Sequence, residues 1–184
     1  IGRCAAVRLA GAGWRVAVAA RTLEDLEETA RLCREAWRGE SGSWPVALVI
    51  PTDVGRSDAC RGLVEETLAG FGRLDALVNN AGVAPSAPIE ETDGPMIRGC
   101  FDVNSVGPAM IIHHAESGVR AWSVAPGAVE TPTLRRLFDE AALPRDRTLD
   151  PDEVAGVIVD LLTGVREEPS GSVVYLRPPA GSPA

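Results

Sequence analysis

Apolar residues recur along this chain in two alternating rhythms, short continuous runs and longer stretches spaced at helical intervals. Residues 2–12 carry helical spacing and stop at Gly11 and Gly13, where glycine ends a helix most easily. The run WRVAVAA (14–20) predicts a buried strand. In TLEDLEETARLCREAW (22–37), Leu23, Leu26, Ala30 and Cys33 share one helical face and Thr22 stands at the N-cap. VALVI (46–50) predicts a second strand, residues 56–70 a second amphipathic helix, and LDALVNN (74–80) a third strand. A Pro-rich loop precedes a longer helix, about 95–115. VRAWSVAPG (119–127) then supplies a strand, DPDEVAGVIVDLL (150–162) a capped helix and SVVYL (172–176) a last strand. Alternating helices and continuously apolar strands predict an α/β fold, a doubly wound parallel sheet with helices on both faces. The 184 residues amount to one domain.

Composition narrows the function classes. The chain is 45% hydrophobic and 24% charged, with a net charge of −8. That charge argues against a nucleic-acid or anionic-membrane surface, either of which needs a basic patch. No apolar run approaches the roughly 18 residues of a membrane span, and no signal peptide is visible, so a cytoplasmic protein is expected. Cys4, Cys33, Cys60 and Cys100 lack CxxC spacing and read as reduced thiols. His113 and His114 are adjacent, so a helix points them about 100° apart, and no metal site is expected. All eighteen basic residues are Arg, and the only Tyr is Tyr175. The first residue is Ile1 rather than Met, which suggests a fragment.

In doubly wound sheets ligands bind beyond the carboxyl ends of the strands. The residues there are Arg21, Asp53 in PTDV, the NNAG turn (79–82), APG (125–127) and ET (130–131). Small residues at Ala81, Gly82 and Gly127 admit a flat or charged ligand close to the backbone. GAGW (11–14) looks like the start of a dinucleotide fingerprint. It follows a helix and opens a strand, the reverse of what that motif requires, so it reads as a helix stop.

NNAG after one strand, DV after the preceding one, an Asn in the long helix and PG-x-V-x-T late in the chain together resemble the short-chain dehydrogenases/reductases. The resemblance covers nearly the whole chain. It implies a Rossmann-type fold, incomplete here, because Ile1 and Gly2 resemble the end of the family's TGxxxGIG turn and the strand before that turn is not present. Gly2 and Arg3 would then open a helix that receives the cofactor pyrophosphate. Asp53 would bond the adenine amino group, with Val54 beside the ring. Asn79, Ala81 and Gly82 would line the ribose and pyrophosphate, and Asn104 would hold the proton-relay water. Pro126, Gly127, Val129 and Thr131 would surround the nicotinamide and its carboxamide. The alternative for Asp53 and Asn79 is local turn capping. A carboxylate at the end of the family's second strand selects NAD. Here that place is Ala20 followed by Arg21, a pair that suits a 2′-phosphate, so NADP(H) is favoured over NAD(H). Arg21 as a solvated residue before the helix is the alternative.

The family transfers a hydride between nicotinamide and a small-molecule carbonyl or alcohol, with a Tyr as acid/base and a Lys that lowers its pKa. An unassisted phenol, with a pKa near 10, serves poorly at neutral pH. The Ser strand and Y-x-x-x-K helix belong between the Asn helix and the PG strand. Here the helix ends near Ala115 and Gly118 already begins the next strand, whereas the missing elements need on the order of 30 residues. Tyr175 lies in the last strand and residue 179 is Pro, and Ser117 and Ser123 do not stand at a matching strand end. Two readings stay open. The chain is part of an NADP(H)-dependent oxidoreductase, homo-oligomeric when complete, or it is a degenerate paralogue acting as a non-catalytic binding or dimerising module. The start at Ile1 favours the first. In the family strand order 74–80 lies between the two absent strands, so two gaps in the sheet are expected. Ile1 is expected to fray, and residues 132–148 to form a mobile lid with a basic tip, Arg135 and Arg136 being either that tip or solvated helix charges.

Overall fold

The computed structural model describes residues 1–184 except 41, 43, 86, 107–119 and 179–184. The chain divides into two compact units, one of Gly2 and Ala6–His114, the other of Ile1, Arg3–Ala5 and Ala115–Ala184.

The first unit is built on two parallel strands, β1 (Val16–Ala20) and β2 (Ala47–Pro51), in register from Val16 opposite Ala47 to Ala20 opposite Pro51. Val16, Val18, Ala47 and Ile50 are buried, as continuously apolar strands require when both faces are covered. Helix α1 (Gly2–Gly11) ends where Gly13, at φ 85°, donates its N–H to the Ala10 carbonyl at 3.0 Å. Positive φ costs glycine nothing, so the GAGW stretch is a helix stop. Helix α2 (Leu23–Ala36) buries Leu26, Thr29, Ala30 and Cys33. Leu23, expected on the buried face, is exposed, and Thr29 takes the core position because its hydroxyl bonds the Asp25 carbonyl at 2.7 Å. Thr22 stands at the N-cap, but its side chain makes no capping bond. Helix α3 (Ser57–Phe71) stops at Gly72, at φ 75°.

The expected strand at 74–80 does not form. No residue of it belongs to a β-ladder, and Leu74 and Leu77 are 43% and 39% exposed. A strand is a property of a pair, and no described segment pairs with this one. Helix α4 (Gly94–Phe101) is capped by Asp93, whose side chain accepts the Met96 N–H, and passes into a π-helical turn at Asp102–Val106. The rest of the helix expected over 95–115, with His113 and His114, lies outside the described residues.

The second unit pairs β3 (Ser123–Pro126) with β4 (Val173–Leu176), also in parallel. Between them lie α5 (Pro132–Leu137) and α6 (Pro151–Thr163). Helix α6 has a complete capping box, Asp150 with Glu153, Pro151 in its first turn and Gly164 at its end, at φ 77°. Val129, Leu149 and Val154 form a buried cluster joined by Val124, Ile158 and Leu176. Ile1 packs against the same cluster and its carbonyl accepts the Ala5 N–H at 2.9 Å, so apolar burial holds the chain end that was expected to fray. Nor is 132–148 a loose lid: it contains α5 and a 3₁₀ turn at Arg145–Arg147. Among the described residues no helix is long and apolar enough to cross a membrane.

Candidate functional site

In the first unit the sheet register sets the site. Ala20 lies opposite Pro51 and the Thr52 N–H donates to the Ala20 carbonyl at 2.8 Å, so Arg21 and Asp53 leave the same carboxyl end of the sheet. Arg21 is exposed and Asp53 half-buried. One Asp53 oxygen, Oδ1, accepts the Gly55 N–H at 3.0 Å. That is the turn-capping bond, and it occupies one of the two carboxylate oxygens. Val54 is half-buried, and its carbonyl accepts from Cys60 Sγ at 3.3 Å. Burial pushes the Cys60 thiol up, and the charges of Asp53 and Asp58 push it further, so this thiol stays protonated and inert.

Three contacts bring separated candidates together. A Cβ on Gly2 would stand 2.5 Å from Asn80 Nδ2, so the start of α1 lies against the NNAG turn and only glycine leaves that amide in place. A Cβ on Gly55 would meet Val103 Cγ2 at 3.3 Å, which puts the loop after Asp53 against the π turn. From that turn Asn104 Oδ1 accepts the Val83 N–H and Asn104 Nδ2 donates to the Val83 carbonyl, both at 2.9 Å. The amide side chain thus acts as a ladder rung for the peptide that follows Gly82. The π turn widens the helix at this point, a feature common at functional sites. With both of its polar atoms committed to Val83, the Asn104 side chain positions this loop. Asn79, Ala81 and Gly82 are exposed. Asn80, Val83 and Val103 were not singled out from the sequence. Only the position of Asn80 inside NNAG marked it at all.

Beside this loop an apolar hollow of about 380 Å³ is lined by Val83, Pro85, Met96, Ile97, Cys100 and Phe101 among others. Among the described residues its lining offers a Thr92 hydroxyl and a thiol but no carboxylate, imidazole or phenol.

In the second unit Pro126 ends β3, and the Gly127 N–H donates to the Leu176 carbonyl at 2.8 Å. A Cβ on Gly127 would stand 2.7 Å from Pro178 Cδ, so this glycine is required by a neighbouring ring of its own chain. Val129 is buried and bridges to Leu149 through the Ala128 carbonyl and the Glu130 N–H. Its own N–H and C=O therefore face the opposite side. The Thr131 hydroxyl accepts the Leu134 N–H at 3.2 Å and caps α5, keeping its own proton to donate. Arg3 is exposed in the first turn of α1. Tyr175 is 72% exposed on β4, and the chain has no Lys to pair with it.

The match to known proteins follows these elements. The family model described as short chain dehydrogenase matches residues 1–115. NADPH-dependent aldehyde reductase 1, chloroplastic, of Arabidopsis thaliana is 27% identical over 240 aligned positions, covering 95% of this chain and 82% of the relative. The alignment is longer than the 184 residues available, so that relative carries stretches with no counterpart here. 11-beta-hydroxysteroid dehydrogenase A of Sesamum indicum is 37% identical over 108 residues, which are 58% of this chain and 29% of the relative. Among solved structures, L-sorbose reductase from Gluconobacter frateurii superposes with a TM-score of 0.79 at 17% identity, covering 95% of this chain and 90% of that one. The superposition supports the doubly wound Rossmann-type architecture, here incomplete, and the family match with the site residues leads to one conclusion. The chain belongs to the short-chain dehydrogenase family of NAD(P)-dependent oxidoreductases.

Proposed function

We propose that this chain is the cofactor-binding part of an NADP(H)-dependent short-chain oxidoreductase and that, as it stands, it binds the cofactor without turning over a carbonyl or alcohol. One observation carries the cofactor choice. Ala20, at the end of β1, occupies the place where an NAD-selective site needs a carboxylate, and the exposed Arg21 follows it at the carboxyl end of the sheet. A guanidinium there accepts a 2′-phosphate bidentately. The NADPH dependence named for the Arabidopsis relative and the NADPH bound in the L-sorbose reductase structure support the same choice.

The residues present fit the group. The free Asp53 oxygen suits the adenine amino group, with Val54 beside the ring. The N–H groups that open α1 at Gly2, with Arg3 adding charge, suit the pyrophosphate. Asn79, Ala81 and Gly82 are the exposed small and amide residues of the ribose side. The outward N–H and C=O of Val129 and the Thr131 hydroxyl suit the carboxamide, with Pro126 and Gly127 closing that side. When bound, the cofactor supplies the hydride. The chain's own shortfall is the proton. Without Lys, and with its one Tyr exposed on β4, it has no tuned acid/base, and the Asn104 amide is occupied by Val83. Losing general acid–base catalysis alone costs about 10²–10⁴-fold.

Two biological settings fit. The stretches that the Arabidopsis relative carries and this chain lacks favour a part of a larger oxidoreductase. The exposed apolar side chains of α4, Ile97 and Phe101, suit a homo-oligomer or a non-catalytic dimerising module. Four free thiols fit a reducing compartment such as the cytoplasm. Calorimetric titration with NADPH and NADH tests the cofactor assignment. Binding about tenfold tighter for NADPH is expected from a charge-assisted contact to the 2′-phosphate, and equal or tighter binding of NADH overturns it.

A further inference from the structure

Residues 130–148 form a closed loop whose neck and interior are both fixed. At the neck, the Glu130 N–H donates to the Leu149 carbonyl at 2.9 Å and the Leu149 N–H to the Ala128 carbonyl at 2.8 Å. Inside, Arg135 donates Nε to Glu130 Oε1 at 2.7 Å and Nη2 to Glu130 Oε2. Its remaining nitrogen, Nη1, reaches across the loop to the Leu143 carbonyl at 2.7 Å. Thr148 adds a bond to Glu130 Oε2 at 3.3 Å, and Arg145 stands 4.0 Å from Glu130 Oε1. The Glu130 and Arg135 side chains are only 23% and 18% exposed, against 43% to 76% for the partners of the surface pairs Arg31–Glu28, Arg56–Asp58 and Arg73–Asp75. A planar fork saturating a carboxylate and holding a distant carbonyl restricts geometry more than a surface ion pair does. The two residues that flank Glu130 in sequence are Val129 and Thr131, the pair assigned to the carboxamide.

We propose that Glu130 and Arg135 are positioning residues: their pairing makes 130–148 one preformed flap that holds the Val129 peptide and the Thr131 hydroxyl in place for the nicotinamide end of the cofactor. This rests on the placement of that end under the proposed function. Neither residue touches the cofactor. The pairing leaves the adenosine end unaffected.

The test compares the 184-residue chain with its Glu130→Gln and Arg135→Lys variants, with Arg136→Gln as a control on the same helix. Two readouts are used. Amide hydrogen exchange reads the loop, and equilibrium titration compares NADPH with 2′,5′-ADP, which carries the 2′-phosphate but no nicotinamide. In both test variants, exchange in 138–148 rises about tenfold, the scale of a lost charge-assisted pair, while β3, β4 and α6 keep wild-type exchange. NADPH affinity falls several-fold toward that of 2′,5′-ADP, 2′,5′-ADP affinity does not change, and Arg136→Gln resembles wild type. Unchanged loop exchange overturns the flap. Faster exchange with an unchanged NADPH to 2′,5′-ADP ratio makes the pair merely structural and overturns the positioning role. A wild-type chain that binds NADPH no more tightly than 2′,5′-ADP overturns the placement of the nicotinamide end, and the positioning role with it. The flap is still read separately by exchange. Faster exchange in the strands of Glu130→Gln would mark global unfolding. The milder Arg135→Lys change, which keeps the charge and removes the fork, then decides.

Discussion

Replacing Asn104 with Ala removes both bonds to the Val83 peptide, each 2.9 Å long, and introduces nothing in their place. A neutral hydrogen bond contributes about 0.5–1.5 kcal/mol net. Asn104 is exposed, so water replaces part of what is lost and the lower half of that range applies, about 1–2 kcal/mol for the two. The loss is local, because the segment from Val83 to Pro85 is tied to the π turn by this rung. It therefore reads as faster opening of the Val83 amide, about 5–30-fold, with little change in global unfolding. Amide hydrogen exchange at Val83, compared with the β1 amides in the same sample, measures it. Asn104→Asp adds a sign test. Its carboxylate still accepts the Val83 N–H but faces the Val83 carbonyl, which disfavours the ionised form and raises the folded-state pKa. The penalty is full above that raised value and disappears below the ordinary aspartate pKa near 3.9, where the acid donates again. Val83 exchange unchanged in Asn104→Ala, or Asn104→Asp indistinguishable from wild type at neutral pH, would refute the rung.

Gly127→Ala places a methyl 2.7 Å from the rigid Pro178 ring and is expected to cost about 1–3 kcal/mol as overpacking. Thermal melts should show that Pro178→Ala in the same chain restores part of it. Arg21→Gln should bring the NADPH to NADH affinity ratio close to one, measured by calorimetry, with NADH affinity retained. The Arg135 hydrogen bond holds the Glu130 carboxyl below the usual range, helped by Arg145 and Thr148 and opposed by its own burial. A depressed carboxylate contributes stability above the unfolded value and loses it as pH falls through the folded one. Exchange in 138–148 should therefore accelerate below the ordinary glutamate range, relative to intrinsic rates, and Glu130→Gln should abolish that pH dependence.

What the chain's pattern shows and hides follows from how local each interaction is. Helix α6 was legible to its caps, because Asp150, Pro151, Glu153 and Gly164 act within a few residues of themselves. The four strands among the described residues are short apolar runs whose partners are also present. LDALVNN has the same composition and failed, since a strand needs a ladder that no local pattern encodes. Periodicity put Leu23 in the core and missed Thr29, because the hydroxyl bond to Asp25 that lets Thr29 be buried is invisible to hydropathy. The site residues were legible as types through the family motifs, while their partners were not. Asn104 meets Val83 across 21 residues, Gly2 meets Asn80, and Gly127 meets Pro178. Arg135, read as a solvated charge, sits five residues from Glu130, outside helical pair spacing, and only the folded loop makes the pair.

The central claim is a cofactor scaffold without its proton relay, and hydride transfer measures it most directly. Purified protein of these 184 residues, first shown by titration to bind NADPH, is mixed with NADPH and a panel of small aldehydes and ketones, and NADPH oxidation is followed. No oxidation above the protein-free rate is expected. Turnover on the order of 1 per second or faster, within the range of ordinary enzymes, would contradict the account.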